Sequence, residues 1–371
     1  MLENFYSNFK NYWRNIDKPI FFSFLILFIL GVFFSFASTS TLAGERLNKD
    51  YYFFFSKHLI FAICSIFIMI LISWLKINFL KKIIIPVFLL SLSALFLVLF
   101  FGIEVKGSRR WLDLFFFRLQ PIEFLKPFFI VIVAQILTKE NFTITNTSHF
   151  LSFLCLATPC IILLNQPDVG QTILLVLSWS TLVFVSGIKL TYIFGLFGLF
   201  LFFIAGILFL FPNKFSYVFK RIEVFFDPSK GERFQSTKAL DAIKEGGLTG
   251  QGMGEGTLKD KVPEAHTDYV ISVIAEEFGS IISILLVCIF LYISFRVIKF
   301  ALQDNDEFIK ITLCGLSSLL IFQTFIHIGV NTSLLPTTGM TLPFLSYGGS
   351  SMLGSAMLAG IIINFTKKNY K

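Results

Sequence analysis

Ten stretches of this chain are long and oily enough to demand lipid around them: residues 20–38, 53–75, 82–102, 122–137, 148–164, 171–187, 189–211, 269–298, 309–330 and 343–366. About 20 apolar residues in a helix cross the hydrocarbon core. A backbone in lipid must satisfy its own polar groups, so spanning segments are helices or closed barrels. Runs of this length are helices, and the expected fold is an all-α polytopic bundle of about ten transmembrane helices. Run 122–137 is the weakest, since Lys126 and Pro127 sit near its start; Gln120-Pro121 reads as a helix start and the polar 138–147 ends it. Hydrophobic residues are 55% of 371 and charged residues only 15%, which excludes a soluble domain. The whole chain, 1–371, reads as one integral membrane unit, with no nucleic-acid partner.

Five cysteines, Cys64, Cys155, Cys160, Cys288 and Cys314, all fall in apolar runs. They read as small buried hydrophobes, without a disulfide framework or a metal pattern. Met1–Pro19 is polar and amphipathic, so no cleavable signal is expected, and residues 1–19 form a cytoplasmic N-terminal segment.

Lysine and arginine set the orientation. An inside N-terminus puts Lys10, Arg14, Lys18, Lys76, Lys81, Lys82, Arg296, Lys299, Lys367 and Lys368 on the cytoplasmic side. Lys106, Arg109, Arg110, Arg118 and nine Lys or Arg between Lys214 and Lys261 then lie outside. Raw counts nearly balance, but long loops translocate regardless of charge. Discounting the polar 212–268, between the seventh and eighth spans, leaves both termini inside. Cations gathered on the outer face suit a phosphorylated lipid head group.

Several polar motifs interrupt the oil. Glu123 and Lys126 lie three apart, on one helix face, where they can pair; an internal salt bridge and a substrate-positioning role both fit. Asp168, in Gln166-Pro-Asp-Val-Gly170, suits a helix cap. The long outer loop holds Arg221, Arg233, a short amphipathic helix over Ser236–Lys244, and the glycine-rich run Gly246–Gly256. That run lets backbone N–H groups approach an anion or sugar, but matches no nucleotide-binding pattern. Pro263-Glu-Ala-His-Thr-Asp268 then enters the eighth span, with Glu264 and His266 beside Asp268, and Glu276 and Glu277 follow inside it. A carboxylate at a helix mouth is reachable from water yet firmly held, as a catalytic base must be; a plain N-cap at Thr267 or Asp268 fits equally. Finally, Asn331–Ser351, which contains Ser346 and Tyr347, carries two prolines and several glycines. A broken helix or re-entrant turn lining a cavity is expected there.

Pro263–Asp268 with Ala275-Glu-Glu-Phe-Gly279, and Leu335-Pro-Thr-Thr-Gly…Leu-Pro-Phe-Leu-Ser-Tyr-Gly-Gly-Ser-Ser351, resemble motifs of the SEDS family of bacterial cell-wall polymerases. Gly107…Arg110-Trp-Leu, Gln120-Pro-Ile-Glu-Phe-Leu-Lys126 and Gln166-Pro-Asp-Val-Gly170 match further motifs in order, across nearly the whole chain. Thr341 and the opening Ile16-Asp-Lys-Pro are closer to the division branch than to the elongation branch. Ile122 and Gln171 depart from the family's usual Ser and Thr, and the first puts the helix start there in doubt.

The resemblance implies glycosyl transfer on lipid II outside the inner membrane, with Asp268 the essential carboxylate. Substrate contacts would come from Arg110, Glu123, Lys126, Arg221, Arg233, Glu264, His266, Ser346 and Tyr347. A class B penicillin-binding transpeptidase and other divisome proteins would be partners. No cofactor is required by the pattern and no metal-ligand cluster stands out, although a divalent cation could share the pyrophosphate. A lipid II flippase, an elongation polymerase and a non-catalytic scaffold are the competing expectations.

Overall fold

The computed structural model describes residues 10–38, 53–105, 108–114, 117–138, 145–188, 216–227, 234–262 and 264–367, with isolated positions 191, 195, 198, 202 and 206. Nine of the ten expected spans coincide with a helix: α1 Lys18–Ser38, α2 Phe53–Trp74, α3 Ile77–Phe101, α4 Pro121–Leu137, α5 Thr145–Asn165, α6 Val169–Val185, then α9 Val270–Gln303, α10 Glu307–Asn331 and α11 Gly349–Phe365. Most of run 189–211 lies outside the described residues. Between them come two surface helices, α7 Ser216–Phe226 and α8 Phe234–Gly246. The latter is the amphipathic helix expected over Ser236–Lys244; α7 was not foreseen.

Six of these helices, α1, α2, α3, α5, α9 and α10, are long and apolar enough to cross a membrane by length and composition. α4 begins at Pro121, with Gln120 at the N-cap, so Ile122 does not disturb the helix start: proline at the first position is already preset for the helix. α4 carries a buried Glu123 and Lys126, which lower its hydropathy while packing inside the bundle. The structure is a multi-pass helical membrane protein.

The bundle is mostly helical, as expected, with one small addition: β1 Ile103–Val105, β2 Ser108–Asp113 and β3 Arg118–Leu119 pair as a three-stranded antiparallel meander. The three strands satisfy their backbone by pairing with one another. One expectation needs correcting: not all the cysteines are buried. Cys64 and Cys288 are exposed on the bundle surface, where lipid would meet them.

Close approaches hold the bundle together. α11 is almost wholly buried, and a side-chain carbon at Gly354 would come within 2.4 Å of the Glu123 carbonyl oxygen of α4. Only a bare Cα lets those helices meet, a common device at membrane helix crossings. The Asn364 amide donates to the carbonyls of Ile72, Ser73 and Leu75, satisfying the open end of α2. Asp17 pairs bidentately with Arg296 of α9, at 2.8 and 2.9 Å, and also accepts from the Ile20 N–H at the start of α1. The Ile16-Asp-Lys-Pro segment is therefore a structural pin.

Candidate functional site

The glycine-rich run meets an anion, and the anion is the chain's own. Glu276, wholly buried, accepts from the backbone N–H groups of Leu258 (2.7 Å) and Lys259 (2.8 Å). Glu277 takes the Lys259 ammonium and the Gly254 N–H. The Gln251 and Gly252 N–H groups donate to the carbonyls of Glu276 and Glu277, while Ser280 and Ile281 donate back to Gly247 and Leu248. Any side chain at Gly246 or Gly250 would collide with the α9 backbone, at 1.9 and 2.2 Å. The loop lies on α9 as a second strand would, and α9 breaks helical geometry at Gly279 (φ 84°) to receive it.

That clamp sets the turn leading into α9. Glu264, at φ 59°, offers its carbonyl to the N–H groups of Thr267, Asp268 and Tyr269. Its carboxylate accepts from the Thr267 hydroxyl at 3.1 Å. The N-cap of α9 is Tyr269, with no side-chain cap, so the plain-cap reading of Thr267 or Asp268 does not hold. The broken segment braces the turn from below. Ser346 donates to the Thr267 carbonyl (2.6 Å) and accepts from the Leu342 N–H (2.8 Å), and the Tyr347 N–H donates to the His266 carbonyl (2.9 Å). The Asn331 amide donates to the Asp268 carbonyl at 3.0 Å. His266 sits among Phe54 and Tyr347. Burial pushes its imidazole below the usual range, with Glu264 opposing.

The Asp268 side chain is half-buried and faces residue 339. Gly339 adopts φ 72°; a side-chain carbon there would stand 3.5 Å from Asp268 Oδ2 and 3.7 Å from Arg110 Nη1. A carboxylate and a guanidinium thus flank one bare Cα. Arg110, on β2, is itself held: it donates to the Pro167 carbonyl at 2.8 Å and lies 3.4 Å from Asp168. Asp168 also caps α6, as expected, by accepting from the Gln171 N–H. Arg221 of α7 donates to the Thr337 carbonyl at 2.8 Å.

Glu123 and Lys126 form a 2.9 Å ion pair, almost wholly buried. Gln171 donates to Glu123 (2.8 Å), Lys126 donates to Gln323 (3.0 Å), and Gln323 donates to the Thr341 carbonyl (3.0 Å). The Gln171 that departs from the family pattern supplies a donor to this network. The pair lines a cavity of about 10 Å³ with Pro343 and Phe344, room for a single water. Phe344, at φ 68°, is wedged against Phe24 and Phe28 of α1. The broken segment expected from the prolines and glycines is present, non-helical from Ser333 to Gly348.

Asp268, Arg110, Arg221, Glu264, His266, Ser346 and Tyr347 therefore gather around one turn, while Glu123 and Lys126 lie within the helices and connect to it through Thr341. Arg233 lies outside the described residues. Gly339, Thr337 and Asn331 were not singled out by sequence reasoning. All three fall in or beside the Asn331–Ser351 motif, but nothing in one dimension says which of its residues faces Asp268.

The structure is thus that of a multi-pass helical membrane protein with a half-buried carboxylate at a helix mouth beside an anchored guanidinium. The chain belongs to the FtsW/RodA/SpoVE cell cycle protein family, whose model matches residues 18–371. It is 35% identical over 362 residues to a probable peptidoglycan glycosyltransferase FtsW of Caulobacter vibrioides, covering 96% of this chain and 90% of that one. A second FtsW of that description, from Haemophilus influenzae, is 32% identical over 379 residues, covering 97% and 95%. Among solved structures, a chain of a peptidoglycan synthase complex that coordinates polymerization and crosslinking superposes with a TM-score of 0.74 at 24% identity, covering 93% of this chain and 97% of that one. A mutant of the Thermus thermophilus rod shape determining protein RodA superposes with a TM-score of 0.70 at 25% identity, covering 96% and 99%.

Proposed function

We propose that the chain is a peptidoglycan glycosyltransferase that polymerises lipid II into glycan strands for septal wall synthesis. The carrying observation is the Asp268 carboxylate across Gly339 from the Arg110 guanidinium. Asp268 takes the proton from the 4-hydroxyl of the acceptor sugar as that oxygen attacks the anomeric carbon of the donor. The donor's bond to its pyrophosphate breaks, undecaprenyl pyrophosphate leaves, and the anomeric centre inverts. Arg110 and Arg221, and Arg233 by its charge and place in the outer loop, meet the pyrophosphate; each arginine offers a planar donor fork that suits phosphate oxygens. A divalent cation sharing that work would travel with the pyrophosphate. Glu264, His266, Ser346 and Tyr347 shape the rim that substrate contacts. Glu123 and Lys126 act from beneath it.

The flippase reading is less well supported. A flippase needs polar groups near the midplane to meet the head group, and Glu123 and Lys126 already satisfy each other, with Gln171 and Gln323. The division assignment rests on relatives named FtsW; with it go an inner-membrane, septal location, cytoplasmic termini and a class B transpeptidase partner. The test is glycan-chain formation by the purified chain with that partner and lipid II. Products that vanish in Asp268→Asn, with the fold intact, support the enzyme. Normal products from that variant, or head-group translocation without products, would refute it.

A further inference from the structure

At the far end of α9 lies a second site. Beyond the break at Gly279 the continuous helix 280–303 rises about 36 Å, enough to cross a hydrocarbon core, so the turn after Gln303 lies on the face opposite Asp268. There the α2–α3 turn, the α9–α10 turn and the residue after α11 enclose a cleft of about 570 Å³. Its walls carry Trp74, Lys76, Asn78, Lys81 and Lys367, with Asp304 and Asp306 opposite. Behind the lining, Tyr12 stacks on Trp74 at 5.4 Å and shares a hydrogen bond with Ser73, and the Lys367 ammonium stands 5.4 Å over the Tyr12 ring.

The two carboxylates are already engaged. Asp304 accepts from the Asp306 N–H, and Asp306 caps α10 by accepting from the Phe308 N–H. Its other oxygen, 3.9 Å away, answers Lys81. Lys76 and Lys367 have no carboxylate at ion-pair distance among the described residues. Burial holds the Lys367 ammonium down to about 8, a penalty that a bound anion would relieve. Across Lys81 a neighbouring cleft of about 660 Å³ is lined by Asp306 and Glu307, with Lys81 as its sole cation, and suits no anion.

We propose that the cleft between Lys76 and Lys367 binds the phosphate head group of an anionic phospholipid. Two ammonium groups meet the phosphate, Asn78 offers an amide to the polar head, and Trp74 supports the acyl–glycerol boundary where indoles settle. The source is a lipid rather than free phosphate, because the cleft opens between helix ends whose outer surfaces carry exposed Leu71, Phe79 and Leu302.

The experiment is native mass spectrometry and tryptophan quenching on the full chain in nanodiscs. One set contains phosphatidylcholine alone, a second adds phosphatidylglycerol, and a third adds inorganic phosphate to phosphatidylcholine. Bound phosphatidylglycerol is expected to survive release from the disc, and Lys76→Gln and Lys367→Gln to weaken it by about fivefold each. Asp306→Asn keeps the cap and frees Lys81, so it should tighten binding. Lys299→Gln, an exposed lysine outside the cleft, should change nothing. Glycan polymerisation on the other face reports that each variant is folded. Equal retention of both lipids, an effect of Lys299→Gln as large as that of Lys76→Gln, or saturation by inorganic phosphate alone would overturn the proposal.

Discussion

Asp268 and Glu276 are eight residues apart, at the mouth and in the second turn of the same helix, yet their surroundings are opposite. Glu276 is wholly buried and each of its oxygens accepts a backbone N–H from the loop. Asp268 is half-buried, with one oxygen turned toward the bare Cα of Gly339. A carboxylate saturated by fixed donors is a structural anchor, and its basicity is spent on the fold. One that is half-buried at a helix mouth beside a guanidinium is placed where a bound hydroxyl could give it a proton. The glycine run supports this division by docking on the α9 backbone, where the Gln251 and Gly252 N–H groups meet the carbonyls of Glu276 and Glu277, so that Leu258 and Lys259 just after it reach the Glu276 carboxylate.

The largest expected effect separates these roles directly. Asp268→Asn should lower polymerisation by about 10²–10⁴-fold, the usual worth of a positioned base, with little change in thermal stability in detergent. Stability falling in step with activity would make Asp268 a second anchor. The buried pair is the next lever. Lys126→Met leaves Glu123 unpaired and should cost about 3–5 kcal/mol, much of it recovered in Glu123→Leu/Lys126→Met, because a lone buried charge costs more than a removed pair. A double variant no more stable than the single one would give the pair a different role.

Glu276→Gln should have a smaller effect, about 1.5–3 kcal/mol, from losing a charge-assisted hydrogen bond. Limited proteolysis should then nick the 246–262 loop faster, and activity should fall through the loop. Unchanged cleavage would show that the clamp does not rest on Glu276. The smallest effect concerns His266. Its folded pKa is depressed below the ordinary 6.5, so the unfolded chain binds the proton more readily. Stability from this group is therefore complete above pH 6.5 and is lost as pH falls from there toward the folded value. His266→Phe keeps the ring against Phe54 and Tyr347 and should flatten that part of the pH–stability curve; an unaltered slope would place the titration elsewhere.

Much of this was legible in one dimension. Hydropathy marked most spans to within a few residues; α3 begins five residues before the expected start, since Lys81 and Lys82 reach water from inside a helix, and α11 begins six residues after it, since 343–348 belongs to the broken segment. Asp168 as a cap and Glu123–Lys126 as a pair followed from spacing, because i to i+3 neighbours share a helix face. The meander at 103–119 and helix α7 did not follow, as both depend on what lies beside them. Ser346 and Tyr347 were expected at the substrate; the Ser346 hydroxyl and the Tyr347 N–H are used instead to brace the turn bearing Asp268.

The sequence by itself determined a helical membrane bundle, the places where helices break, and the carboxylate at the mouth of α9. These are local matters of hydropathy and backbone preference. Tertiary structure alone decided that Gly339 lies between Asp268 and Arg110, two residues 158 positions apart. It also decided that the glycine run grips Glu276. Both depend on distances between segments remote in sequence, and those distances are set by how the helices pack.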